Sequence, residues 1–130
     1  MNWNRIIKYC FILVIAQTGL STLLSVLWGV DYYSPKSLNE LLIYQKLPSA
    51  LLSIFILTIY AKQQVNRTIL HLALSFSACS LLSLTMNLLL LGELFIPPMW
   101  RINFPIDVIT VLAAFYLGKY FRGINKEAAQ

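Results

Sequence analysis

Hydrophobic residues fall into four long segments along this chain, and charged residues collect in the short stretches between them. The third segment, residues 69–91, is the clearest because it contains no Asp, Glu, Lys or Arg. A helix rises about 1.5 Å per residue, so this segment forms a helix of roughly 34 Å, enough to cross a hydrocarbon core of about 30 Å. The pattern therefore predicts a membrane-spanning helix over 69–91.

The remaining segments predict three more spans, which we place at about 9–30, 38–61 and 105–121. The run from 9 to 30 follows a short basic head and is longer than the apolar part of a secretory signal, which indicates an uncleaved anchor. A short polar connector joins the second and third segments, so these helices are expected to be antiparallel neighbours. The predicted fold class is an all-α integral membrane protein, a four-helix up-down bundle.

The second segment does not have the simple pattern of the third. Its uncharged part, residues 47–61, is only roughly 22 Å long as a helix, which is short for a span. We therefore predict that the helix begins near Leu38 and is kinked at Pro48. The alternative is a separate helix over 38–46 that lies on the membrane surface.

The connection between the third and fourth segments is rich in prolines and aromatic residues. Gly92 is predicted to end the third helix, and residues 94–104 are predicted to form a loop in the membrane interface. A helix is not expected to pass through Pro97-Pro98. Pro105 suits the first turn of a helix, so the fourth span is predicted to start there.

The composition and charge place the whole chain in a membrane. Hydrophobic residues make up 58% of the 130 residues and charged residues 12%, whereas soluble domains are about a quarter charged. We therefore expect a single membrane domain over 1–130, with the lipid bilayer as its surroundings. The net charge of +5 is spread beside segment ends and includes no long basic run, which excludes nucleic acid as a partner.

The basic residues also predict an orientation. Seven lie at one end of the predicted spans and three at the other: Arg5, Lys8, Lys62, Arg67, Lys119, Arg122 and Lys126 against Lys36, Lys46 and Arg101. Because basic residues are enriched on the cytoplasmic side, both termini are expected in the cytoplasm. We expect the membrane to be a bacterial inner (plasma) membrane.

Polar and small residues recur every four residues in two segments, and this spacing places them near one another on a helix surface. The rows are Gln17, Ser21, Ser25 and Gly29 in the first segment, and His71, Ser75, Cys79, Ser83 and Asn87 in the third. Small residues let helices approach closely in lipid, so both rows are interpreted as packing seams. The alternative is that the rows line a water-filled path. A similar narrow seam is predicted at Thr110, Ala114 and Gly118.

The candidate chemistry is limited. Glu93, Arg101 and Asp107 are predicted to form a charged cluster on the outer face, either as a salt-bridged clasp or as a site for a polar ligand. His71 and Ser75 lie one turn apart, but no carboxylate is near enough to orient the histidine as a catalytic base. One His and two separated Cys form no metal cluster. No catalytic residue, cofactor or metal is expected.

These observations predict a small multi-pass membrane protein that is not an enzyme and that acts by helix association. Its partner is expected to be a second copy of itself, or another membrane protein in a complex. The alternative function is an oligomeric channel or carrier for a small solute.

Overall fold

The structure, a computed structural model, describes residues 2–29, 41–93 and 100–128. The helices are α1 (Trp3–Trp28), α2 (Leu47–Gln63), α3 (Thr68–Leu91) and α4 (Trp100–Ala128), and a π-helical turn, Leu41–Lys46, leads directly into α2. Four helical stretches are long and apolar enough to cross a membrane, if the second is counted from Ile43. The prediction of an all-helical chain with four such helices is confirmed.

Glycine ends two of the helices. Gly29 follows α1 with φ 64° and Gly92 follows α3 with φ 70°, in the left-handed region that glycine adopts without a Cβ penalty. Their backbone N–H groups donate to the carbonyls of Ser25 and Leu88, which closes each last turn. The predicted end of the third helix is confirmed, whereas Gly29, predicted as part of a packing row, caps a helix instead.

The fourth helix is longer than predicted at both ends. It begins at Trp100 and contains Pro105, so the predicted loop is wrong for residues 100–104 and the span does not start at Pro105. A proline removes one backbone hydrogen bond, here the one to the carbonyl of Arg101, and near the start of a long apolar helix this loss is tolerated. Pro97-Pro98 lies outside the described residues.

Pro48 lies in the first turn of α2, immediately after the π-helical turn. A missing N–H is harmless at that place, because the first N–H groups of an α-helix have no partner within the helix. The predicted start near Leu38 lies outside the described residues, and the kink at Pro48 stays a prediction.

The contacts between helices give their relative directions. From Tyr9 to Ser25, successive residues of α1 contact α2 and then the π-helical turn before it in descending order, so α1 and α2 run antiparallel. α1 and α3 run parallel, since Asn2 contacts His71 and Gln17 contacts Cys79. α2 and α4 also run parallel and share the largest contact, whereas α1 and α4 do not touch within the described residues.

The contact between α2 and α4 is closest near the C-terminal end of α2. Thr110, Ala114 and Gly118 are buried on α4, as the predicted seam requires. A Cβ atom at Gly118 would overlap the Cβ of Ala61 and lie 3.1 Å from two backbone atoms of α2. The Arg122 guanidinium lies beyond this contact and donates to the backbone carbonyls of Ala61 and Gln64, which α2 leaves unpaired at its end.

Candidate functional site: the polar interior and the exposed half of α3

The polar row of α1 contacts α2 and the π-helical turn before it. The Ser21 hydroxyl donates to Gln45 Oε1 at 3.3 Å, and Gln45 Nε2 donates to Ser25 Oγ at 3.2 Å. Gln45 is 2% exposed, so it lies inside the protein. A buried amide with both ends bonded fixes the register of two helices, because no water is available to replace its partners.

Gln17 connects three helices near the middle of the bundle. Its Nε2 donates to Ser53 Oγ of α2 at 2.7 Å, and its Oε1 faces the Cys79 thiol of α3 at 3.8 Å. Ser53 donates in turn to the carbonyl of Ser49. Gln17, Ser53 and Cys79 therefore each have a hydrogen-bond partner from the protein itself.

A second polar group joins the start of α1 to the end of α2, around two stacked tyrosines. The ring centroids of Tyr9 and Tyr60 are 4.2 Å apart and the two rings are nearly parallel, and the His71 ring meets Tyr60 edge-on. The Tyr9 hydroxyl donates to Gln63 Oε1 at 3.1 Å, and Arg5 donates to the carbonyl of Gln63 at 3.2 Å. This end of α2 is thus held by side chains of α1 and α4.

A layer of leucines separates the two polar groups. Leu13, Leu57 and Leu72 are 0% exposed and belong to one core cluster. Along α1 the layer falls between Tyr9 and Gln17. Buried apolar side chains therefore lie between the two polar groups along α1 and α2.

The α3 row divides into two parts. His71, Ser75 and Cys79 are buried, Asn87 is half-buried, and Ser83 is exposed. A step of four residues exceeds one 3.6-residue turn, so the row drifts by roughly 40° per step, and Ser83 lies off the surface that covers Cys79. None of the residues from 80 to 91 is buried, so this C-terminal half of α3 has little packing from its own chain.

The predicted outer charged cluster is arranged differently from expectation. Asp107 Oδ1 is 2.7 Å from Lys46 Nζ of α2, and the two side chains are 31% and 15% exposed. Arg101 lies over the ring of Trp100, with its guanidinium carbon 5.6 Å from the ring centroid. Glu93 is exposed just beyond α3. The described partner of Asp107 is therefore Lys46 rather than Arg101.

These features define the class of protein: an all-helical chain with four helices that are long and apolar enough to cross a membrane and that are joined by internal polar contacts. Within the described residues, no three His, Cys, Asp or Glu side chains come together as metal ligands would. Comparisons with protein-family models, with curated proteins and with solved structures found no significant match to this chain.

Proposed function

We propose that this protein acts by helix association in a bacterial inner membrane, as a homo-oligomer or as a subunit or modulator of a membrane complex. The proposed architecture is an up-down bundle with a kink at Pro48 and both termini in the cytoplasm. The seven-to-three distribution of basic residues supports this orientation. The parallel pairs α1–α3 and α2–α4 support alternating helix directions.

The observation that carries the proposal is the division of the α3 row. His71, Ser75 and Cys79 are buried within the chain, whereas Ser83 is exposed on a half-helix with no buried residue. Polar side chains are unfavourable against lipid tails, and small ones allow a second helix to approach. A partner helix packed against residues 80–91 of α3 would cover Ser83.

The first prediction is that Ser83→Leu weakens self-association and leaves the bundle folded. Ser83 is exposed, so the larger side chain does not disturb the core, but it keeps a partner helix away. We expect the dissociation constant of the dimer in vesicles to rise roughly tenfold, which corresponds to about 1.4 kcal/mol. Energy transfer between donor- and acceptor-labelled copies, diluted with lipid, measures this change.

Thr85→Leu is the matched control. Thr85 is exposed at nearly the same depth but lies roughly 200° around the helix from Ser83, and its hydroxyl bonds to the carbonyl of Leu81 within the same helix. This variant should associate like the wild type. Equal weakening by both substitutions would show that the row is not the contact surface, and a wild type that stays monomeric at every dilution would remove the homo-oligomer.

A carrier or channel for a small solute is the second candidate, and one observation favours it. Lys46 and Asp107 form an ion pair within helical stretches that are apolar enough to span the membrane. Charged side chains in such stretches frequently belong to ion or substrate paths. The dry leucine layer argues against a path through one bundle, so a path would have to form between subunits.

The second prediction separates these functions at Cys79. This residue is 4% exposed and lies against Gln17, so we expect it to resist a charged methanethiosulfonate reagent in the folded, membrane-embedded protein. Cys10 is 6% exposed, so we expect it to be protected as well. Mass spectrometry before and after unfolding counts the modified thiols. Rapid labelling of Cys79 that also blocks solute flux would favour the carrier.

A further inference from the structure

His71 is held by two hydrogen bonds that require opposite roles of its ring nitrogens. Nδ1 is 2.9 Å from the carbonyl oxygen of Arg67, which only accepts, so Nδ1 carries a proton. Nε2 is 3.4 Å from the backbone N–H of Asn2, which only donates, so Nε2 accepts. The ring is 3% exposed, and both contacts together select the neutral Nδ1–H tautomer.

The Asn2–His71 contact connects the start of α1 to the first turn of α3. Asn2 is also the N-cap of α1: its side chain accepts from the N–H of Arg5, and its carbonyl accepts from the N–H of Ile6. The histidine therefore holds the residue that organises the first turn of α1. On its other side the ring packs edge-on against Tyr60, which stacks on Tyr9.

Protonation of the ring removes this connection. A proton on Nε2 turns the acceptor into a donor that points at another donor, the N–H of Asn2. The new positive charge also lies in the first turn of α3, where the helix dipole disfavours a cation. Neither change affects the Nδ1 contact with Arg67, so α3 keeps its bond while α1 loses its own.

The charged side chains at this end of the helices are mostly basic. Six of the described charged side chains at this end of the helices are basic and lie on α1, α2, α4 and the residue just before α3, and the one described acid there, Glu127, is exposed near the end of α4. The charged and titratable groups at this end are Arg5, Lys8, Tyr9, Tyr60, Lys62, Arg67, Lys119, Tyr120, Arg122 and Glu127, together with Lys126, whose side chain is not described. No carboxylate within the described residues contacts the ring to compensate its charge.

We propose that His71 is an acid-sensitive latch, which holds the start of α1 against α3 when the ring is neutral and releases it when the ring is protonated. Histidine is the side chain whose charge ordinarily changes between pH 5 and 8, so the latch responds to acidification of the compartment at this end of the helices. Release frees the first turn of α1 and leaves the central group around Gln17 in place, because the leucine layer lies between them.

Amide hydrogen exchange tests the latch in the full-length protein in lipid nanodiscs. NMR on ¹⁵N-labelled protein should show that the amides of Asn2, Arg5 and Ile6 lose protection roughly fivefold between pH 7.5 and 5.5, after correction for the intrinsic effect of pH. This is the change expected for one lost hydrogen bond, and the amides near Gln17 should keep their protection. An unchanged first turn down to pH 5 would overturn the proposal.

Variants of both partners distinguish the latch from a general effect of acid. His71→Gln cannot titrate, so its pH response should disappear, and a full response in that variant would also overturn the proposal. Asn2→Pro removes the N–H donor, whereas Asn2→Ala removes only the capping side chain. If His71→Gln does not fold, this pair decides: Asn2→Ala should keep the pH response of Ile6 and Asn2→Pro should lose it, and any other order contradicts the latch.

Discussion

Gly118→Leu is expected to abolish the folded four-helix bundle. The two parallel helices α2 and α4 are closest where Gly118 meets Ala61, and even a single Cβ at Gly118 would overlap the Cβ of Ala61. Overpacking a well-packed site costs typically about 1–3 kcal/mol, and a leucine pressed against backbone atoms of α2 should exceed that range. The measurement is the free energy of unfolding, from titration with sodium dodecyl sulfate followed by circular dichroism.

Alanine substitutions give a controlled version of this experiment. Gly118→Ala should destabilise the protein by about 1–3 kcal/mol. Gly123→Ala, on the same helix with nothing within 4 Å, should be neutral or stabilise by up to about 1 kcal/mol because alanine favours helices. Adding Ala61→Gly to Gly118→Ala moves the Cβ to the other helix and should restore most of the loss. Equal effects of alanine at 118 and 123 would contradict the close approach.

The four helices were predictable because their apolar segments are long and nearly uncharged, and local signals of this kind depend on sequence alone. Gly92 ends α3 as predicted, since glycine adopts the left-handed conformation without a penalty. Ala114 and Gly118 were predicted to form a seam, and both are buried on α4. The predicted start of α4 at Pro105 was wrong. A proline lowers the stability of a helix only locally, whereas burial of the surrounding apolar residues is a property of the whole fold.

The polar interior was less predictable because it depends on which helices meet. The row in α1 was predicted to hydrogen-bond across helices, but its main partner, Gln45, was not identified. A row at intervals of four does exist in α2, at Gln45, Ser49 and Ser53, and this signal was present in the sequence. It was hidden because Gln45 is next to the charged Lys46.

The split of the α3 row was not predictable at all from one helix. Its members have equivalent spacing, and only the positions of α1 and α2 decide that Cys79 is covered while Ser83 is exposed. The same holds for the partner of Asp107, since a base elsewhere in the chain competes with the nearest base in sequence. Pairing across helices is a tertiary property that spacing along one helix does not contain.

Asp107→Lys is expected to destabilise the protein by about 3–5 kcal/mol, the range for leaving a buried charge unpaired, because it places a second ammonium beside Lys46. The pair is 2.7 Å apart and joins the outer ends of α2 and α4, and Lys46 in particular is largely enclosed. Exchanging both charges, with Lys46→Asp added to Asp107→Lys, should recover at least half of the loss, because the two side chains again carry opposite charges and attract each other.

Glu93→Lys is the control, since it makes the same change of charge at an exposed acid beyond α3 and should alter stability by less than about 0.5 kcal/mol. The free energy of unfolding of the wild type and these variants, measured in the same detergent titration, gives the coupling energy directly. If the double exchange is no more stable than Asp107→Lys alone, the two side chains do not interact in the membrane-embedded protein, and the contact does not hold α2 to α4.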